Sequence, residues 1–268
     1  MCISQITTQM IDQYKVYRKD SWVNPNGHKV ESEDDIREYT RKGAKAHTVN
    51  FELRVLRLLF NLAIKWNLLE NDPSKGVTRL KVNDAKPVRF LTVEECHKLL
   101  ETSPPDLYPI YFTFLNTGLR KAELENLEWA DVDFKRRKIK IRRKEFWQPK
   151  TGEREIPVSQ QLYDLLKKLK EDNESGLKSS FVFAHKDGGR IRVKLREKLI
   201  QIADKAGIEN LIKLHTLRHT FASHLVMQGV DLLTVKKLMG HSDIQTTMIY
   251  AHLAPDHLSD AVDKLSLQ

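Results

Sequence analysis

Apolar positions along the chain recur mainly at helical spacing. Ile6, Met10, Ile11 and Tyr14 form one such set, and Phe51, Val55, Leu58, Leu59, Leu62 and Trp66 form another on a longer segment from about Thr48. Both sets predict amphipathic helices. Arg54, Arg57 and Lys65 fall off the second apolar stripe and would face solvent or a polyanion. Between the two, Trp22-Val-Asn-Pro-Asn-Gly27 has turn chemistry, and Glu31–Arg37 is a charge cluster expected on a solvated surface.

After residue 87 the pattern becomes mixed. Thr92-Val-Glu-Glu95 is a capping box, in which Thr92 takes a backbone donor and Glu95 reaches back. Helices are predicted at about 93–101, 107–116 and, briefly, Ala122–Leu127. Lys138-Ile-Lys-Ile-Arg142 alternates with period two and predicts a strand, with Ile139 and Ile141 facing the core. Pro149-Lys-Thr-Gly152 is a turn, and Glu155–Val158 a returning edge strand. Helices follow at about 160–171, 191–206, 216–228, 232–239 and 244–252. Gly229 and Gly240 are placed to end helices, Asp231 to begin one, and Ser242 or Asp243 to begin the next. The polar stretch Lys81–Pro87 separates a helical domain over 1–86 from a second domain over 87–268. The fold class is mainly α, with a small antiparallel β-sheet in an α+β second domain.

Charge narrows the function. The chain carries 45 Lys and Arg against 36 Asp and Glu, a formal +9. Such a surface suits a polyanion, nucleic acid first and an anionic membrane second. Residues 1–86 contribute 15 basic against 11 acidic side chains, so both predicted domains are basic and both could touch one duplex. Cys2 and Cys96 are too few for a disulfide scaffold and suit a reducing cytoplasm. No apolar run approaches the ~18–20 residues of a membrane span. Lys135–Lys144 holds eight basic residues in ten. It is either a charged edge strand or a hairpin whose Lys138, Lys140 and Arg142 track phosphates.

The candidate chemistry lies in three further segments. Leu214-His-Thr-Leu-Arg-His219 puts His215 and Arg218 on one helix face, with Leu217, Phe221 and Leu225 as the buried stripe. His215 and His219 stand four apart, but a zinc protease motif needs glutamate where Thr216 stands, so no metal is expected. In Leu238-Met-Gly-His241, Gly240 ends a helix and presents His241; the next helix carries Tyr250.

Thr117-Gly-Leu-Arg120-Lys-Ala-Glu123, then Lys150-Thr-Gly, His215-Thr-Leu-Arg218-His, Leu238-Met-Gly-His241 and finally Tyr250 resembles the tyrosine recombinase (phage integrase) family in order and spacing. The resemblance covers 88–262 strongly and 3–82 more loosely. It implies that Arg120 and Arg218 grip a scissile phosphate, His215 and His241 hydrogen-bond it, and Tyr250 attacks it. Lys150 would be the lysine, with Lys121 and Lys144 as alternatives on sequence distance; Glu123 would buttress the site. The resemblance further implies a C-shaped clamp on double-stranded DNA, a homotetramer on paired sites, a tail helix at 254–268 packing on a neighbouring protomer, and no metal, ATP or cofactor. Two guanidiniums can supply the charge stabilisation that metals supply elsewhere. A type IB topoisomerase-like enzyme and a noncatalytic DNA-binding relative are the alternatives. Relatives usually carry further helices before the segment resembling Ile3–Arg18, so the 1–86 domain is expected to be incomplete.

Overall fold

A computed structural model describes residues 2–24, 30, 40–82 and 88–255. The backbone divides into two units, Met1–Lys86 and Pro87–Gln268.

In the first unit, α1 (Thr8–Asp20) starts at Thr7, whose hydroxyl accepts from Met10 N. Two short strands, β1 (Trp22–Val23) and β2 (Arg41–Lys42), pair antiparallel and lead into α2 (Ala46–Lys65). Ile11, Val23, Ala44, Val49, Leu53 and Phe60 form the core. Across the α1–α2 contact, Arg18 binds both Glu52 oxygens at 3.0 and 2.7 Å, and Tyr14 donates to the same carboxylate.

Both helices form where periodicity places them, but α2 buries a different face from the one expected. Val49, Leu53, Phe60 and Ala63 are buried, while Phe51, Val55, Leu58, Leu59 and Trp66 are exposed. The helix carries two apolar stripes. Ile11 and Val23 lie over the one containing Val49 and Leu53, and that contact selects which stripe is the core. The Glu31–Arg37 cluster lies outside the described residues.

The second unit opens with α3 (Val93–Thr102), entered through the reciprocal Thr92–Glu95 capping box at 3.2 and 2.9 Å. α4 (Tyr108–Thr117) and α5 (Lys121–Glu125) follow. The sheet is β3 (Val132–Asp133), β4 (Lys138–Ile141) and β5 (Arg154–Pro157), all antiparallel, in the order β3-β4-β5. Ile139 and Ile141 point into the core, with Ile156 beside Ile139 on the next strand. The Lys138–Arg142 strand is therefore central in the sheet, and not the edge strand expected of a charge-guarded segment; β5 is an edge, as its position suggested.

α6 (Gln160–Ser175), α7 (Leu195–Lys205), α8 (His215–Met227) and α9 (Leu232–Met239) complete the α-helices among the described residues. α7 begins at Leu195, later than the expected 191, at the first fully buried apolar residue of its stripe with Leu199 and Ile202. α8 is buried around most of its circumference: Thr216, Leu217, Arg218, Thr220, Ala222, Ser223 and Val226 are all enclosed. Its expected stripe was too narrow, and Phe221 and Leu225 are only partly buried. Buried hydroxyls on such a helix need partners. Thr220 donates to Thr216 O and accepts from Leu91 N, and His224 reaches Leu91 O.

The expected helix over 244–252 is absent as an α-helix. Two 3-10 turns, Ile244–Thr246 and Met248–Leu253, take its place. Thr247 and Tyr250, three apart, are the residues buried here, while Met248 and Ile249 are exposed. A three-residue repeat keeps that pair eclipsed on one side, which an α-helix would splay. The tail expected at 254–268 lies outside the described residues beyond 255.

Candidate active site

Four segments converge beside α8. The first is the turn after α4. Gly118 is left-handed at φ 59°, and a Cβ there would stand 2.4 Å from the Phe221 ring. Glycine therefore permits both the turn and the close passage of α8. The turn delivers Arg120 at the head of α5, where its backbone N–H donates to Glu123 at 2.8 Å.

Glu123 is buried and organises the charges around it. Arg154 from β5 binds its two oxygens at 2.8 and 2.7 Å, and Arg120 Nη1 reaches it at 2.9 Å. Burial alone would raise the carboxyl; Arg154, then Arg120, more than reverse this and hold it at about 2. Arg120 also donates to Thr151 Oγ1 and Gly240 O, both at 3.0 Å. Arg154 Nε donates to Leu238 O, fastening the sheet to the end of α9.

Arg218 is 1% exposed on α8. Its two terminal nitrogens donate to the carbonyls of Gly118 and Met239, tying the α4 turn to the end of α9. Its Nε is buried with no hydrogen-bond partner among the described residues. Burial, then the charge of Arg120, lowers this guanidinium to about 9. Three guanidiniums thus cluster around one carboxylate, an excess of positive charge suited to an anion.

The histidines and tyrosine complete the cluster. Gly240 caps α9 at φ 62° and leads into the half-buried His241, whose Nδ1 lies 2.9 Å from Thr247 Oγ1. Burial, then Arg218 and Arg120, brings His241 to about 4. His215 stands at the start of α8, where desolvation of its ring by the surrounding site, then the charges of Arg218 and Arg120, lowers it. Tyr250 is 1% exposed, and its hydroxyl lies 2.7 Å from His219 Nδ1. Burial raises the phenol to about 12, against the opposing pull of Arg218.

The structure therefore brings Arg120, Glu123, His215, Arg218, His241 and Tyr250 to one side of α8. Lys150 is exposed in the turn beside Thr151, the residue that touches Arg120. The alternative lysines are engaged elsewhere: Lys144 with Asp131 and Glu128, Lys121 with Glu125. Lys138, Lys140 and Arg142 each have a carboxylate partner, Glu155, Asp133 and Asp131 respectively. In the first unit Arg57 is held by Ser74, and Arg54 is exposed. Arg154, Thr151, Thr247 and the role of His219 were not singled out from the sequence. Arg154 reads there as one more charge on an alternating strand, and His219 as half of an unfilled zinc pair. No group of three or more side chains able to hold a metal ion occurs among the described residues.

A cluster of guanidiniums and imidazoles beside a buried tyrosine, on a mainly helical α+β unit, defines a site built to receive an anion through its own side chains. Residues 89–257 match the model of the phage integrase family, and the chain belongs to that family. Its members are tyrosine recombinases, enzymes of site-specific recombination. The chain is 33% identical over 243 residues to the tyrosine recombinase XerC of Thermodesulfovibrio yellowstonii, covering 85% of this chain and 79% of that protein. It is 30% identical over 246 residues to the ICEBs1 integrase of Bacillus subtilis strain 168, covering 83% and 66%. In fold it resembles the integrase of the Tn1549 transposon, solved in complex with a circular intermediate DNA, with a TM-score of 0.71 over 98% of this chain and 85% of that one at 21% identity.

Proposed function

We propose that the chain cleaves and rejoins double-stranded DNA at a specific site through a covalent 3′-phosphotyrosine on Tyr250, with neither metal nor ATP. Arg120 and Arg218 bind the non-bridging oxygens of the scissile phosphate and stabilise the charge that builds up in the transition state. His215 and His241 hydrogen-bond the same group, and Lys150 protonates the leaving 5′ oxygen. Glu123 and Arg154 do not react; they fix Arg120. The ester conserves the energy of the broken bond, so the hydroxyl of another strand can reverse the step and exchange strands.

The observation that supports this reading most is the state of Arg218. It is buried, bound only to backbone carbonyls, and keeps one donor unpartnered beside Arg120. A phosphate oxygen would satisfy that donor and relieve the crowding of positive charge.

Residues 1–86 would serve as the core-binding domain and 87–268 as the catalytic domain. Lys138, Lys140, Arg142, Arg54 and Arg57 would contact the DNA backbone, and four protomers would meet on two sites. The relatives include integrases of mobile elements, which makes integration or excision of such an element the natural setting, in the cytoplasm. No helix among the described residues is long and apolar enough to cross a membrane.

The test is Tyr250→Phe on a nicked suicide duplex resolved on a denaturing gel. The variant should bind duplex as the parent does and form no adduct, because it loses one oxygen and no phosphate ligand. An adduct that persists would remove Tyr250 as the nucleophile.

A further inference from the structure

Phosphotyrosine formation requires the phenol to lose its proton, and the surroundings of Tyr250 make that harder. With the phenol raised to about 12, on the order of one molecule in 10⁵ is ionised at pH 7. A proton acceptor in contact with the hydroxyl is the direct remedy.

Three histidines lie in the site. His241 uses Nδ1 on Thr247, and among the described residues neither His241 nor His215 forms a hydrogen bond with the phenol. His219 does, at 2.7 Å, within the reach expected of a general base. It sits one residue beyond Arg218 on the largely buried α8, and its ring meets that of His215 edge-on at 4.8 Å.

We propose that His219 orients the Tyr250 hydroxyl and takes its proton as the phosphotyrosine bond forms, a role that rests on Tyr250 being the nucleophile. Burial, then His215, Arg218, His241 and Lys213, holds the imidazole at about 4, so it is neutral at pH 7. With its own proton on Nε2, its Nδ1 lone pair accepts from the phenol. In the free protein the pair rests as a neutral hydrogen bond, since an acid near 12 does not yield its proton outright to a base near 4. A phosphate bound by Arg120 and Arg218 would offset the positive charge that opposes protonation of the ring.

The step is balanced as follows. The phenol O–H bond breaks and its proton joins Nδ1 of His219. The phenol oxygen forms a bond to phosphorus, and the bond from phosphorus to the 5′ oxygen breaks with its electron pair on oxygen. That oxygen leaves with a proton from the general acid, assigned above to Lys150. On religation His219 returns its proton to the tyrosine oxygen, as microscopic reversibility requires.

Single-turnover cleavage of the nicked duplex by the full chain tests this, with His219→Ala, His219→Asn and Tyr250→Phe compared to the parent. Asparagine can hold the phenol by a hydrogen bond but cannot take its proton. Both His219 variants should bind duplex within about twofold of the parent and form adduct about 100-fold more slowly, the low end of general-base effects. A fluorinated tyrosine at position 250, whose phenol ionises more readily, should restore roughly tenfold in the His219→Asn background and less in the parent. Should His219→Ala fail to fold, seen as lost duplex binding, His219→Asn carries the test. Parental cleavage by His219→Asn, or no recovery with the fluorinated phenol, would overturn the role of His219 as proton acceptor. If that happens while Tyr250→Phe is inert, the nucleophile assignment stands; an adduct with Tyr250→Phe would remove both.

Discussion

Replacing Glu123 by glutamine tests the framework that holds Arg120. Glu123 is 2% exposed and accepts four hydrogen bonds, two from Arg154 and two from Arg120. Its carboxyl lies at about 2, against an ordinary 4.5. At about 1.4 kcal/mol per unit, that difference is worth about 3 kcal/mol at neutral pH. The folded value is depressed, so this contribution is full above about 4.5 and is lost as pH falls toward 2. Glutamine also strands Arg154 without its anion, and breaking a buried pair from one side typically costs about 3–5 kcal/mol. Taking the lower figure, the transition of the second unit should fall by roughly 6–12 °C at pH 7. Calorimetry from pH 3 to 7 measures this. The difference between parent and variant should narrow below pH 4.5, because acid removes from the parent what the substitution has already removed. The other carboxylates are common to both proteins and cancel. A melting temperature within about 2 °C of the parent, or a gap that does not change with pH, would refute the view of Glu123 as the ionised keystone of this cluster.

Two further perturbations address the DNA surface and the α4 turn. Neutralising Lys138, Lys140 and Arg142 together should lower the salt slope of duplex binding by about 3, near 0.9 for each phosphate contact. Their carboxylate partners do not prevent this, since partly exposed ion pairs are weak and a phosphate can replace them; an unchanged slope in a binding titration would assign the three to sheet pairing alone. Gly118→Ala should lower stability by about 1–3 kcal/mol in denaturant titration, because its Cβ meets Phe221 at 2.4 Å and its φ is 59°. It should also slow adduct formation, because the Gly118 carbonyl holds Arg218; parental stability and rate would show that the turn relaxes freely.

The sequence by itself determined the local elements and singled out the candidate site residues. Period and capping are local properties, so α3, α9 and the alternation of Lys138–Ile141 were readable from neighbours a few residues apart. Arg120, His215, Arg218, His241 and Tyr250 were readable as a set because their order and spacing match a family pattern. Tertiary contact decided what local pattern leaves degenerate. α2 has two apolar stripes, and only the placement of Ile11 and Val23 chose the one with Val49 and Leu53 as core. The basic run 135–144 specifies a charged strand, but its place between β3 and β5 follows from hydrogen bonds to residues that spacing cannot name. The segment around Tyr250 winds as 3-10 turns because Thr247 and Tyr250 must be buried together. Arg154 reaches Glu123 from 31 positions away, and His219 reaches Tyr250 across the same separation. Electrostatic and hydrogen-bonding partners at such distances leave no trace in one-dimensional periodicity, so the support of Arg120 and the partner of the tyrosine became visible only in three dimensions.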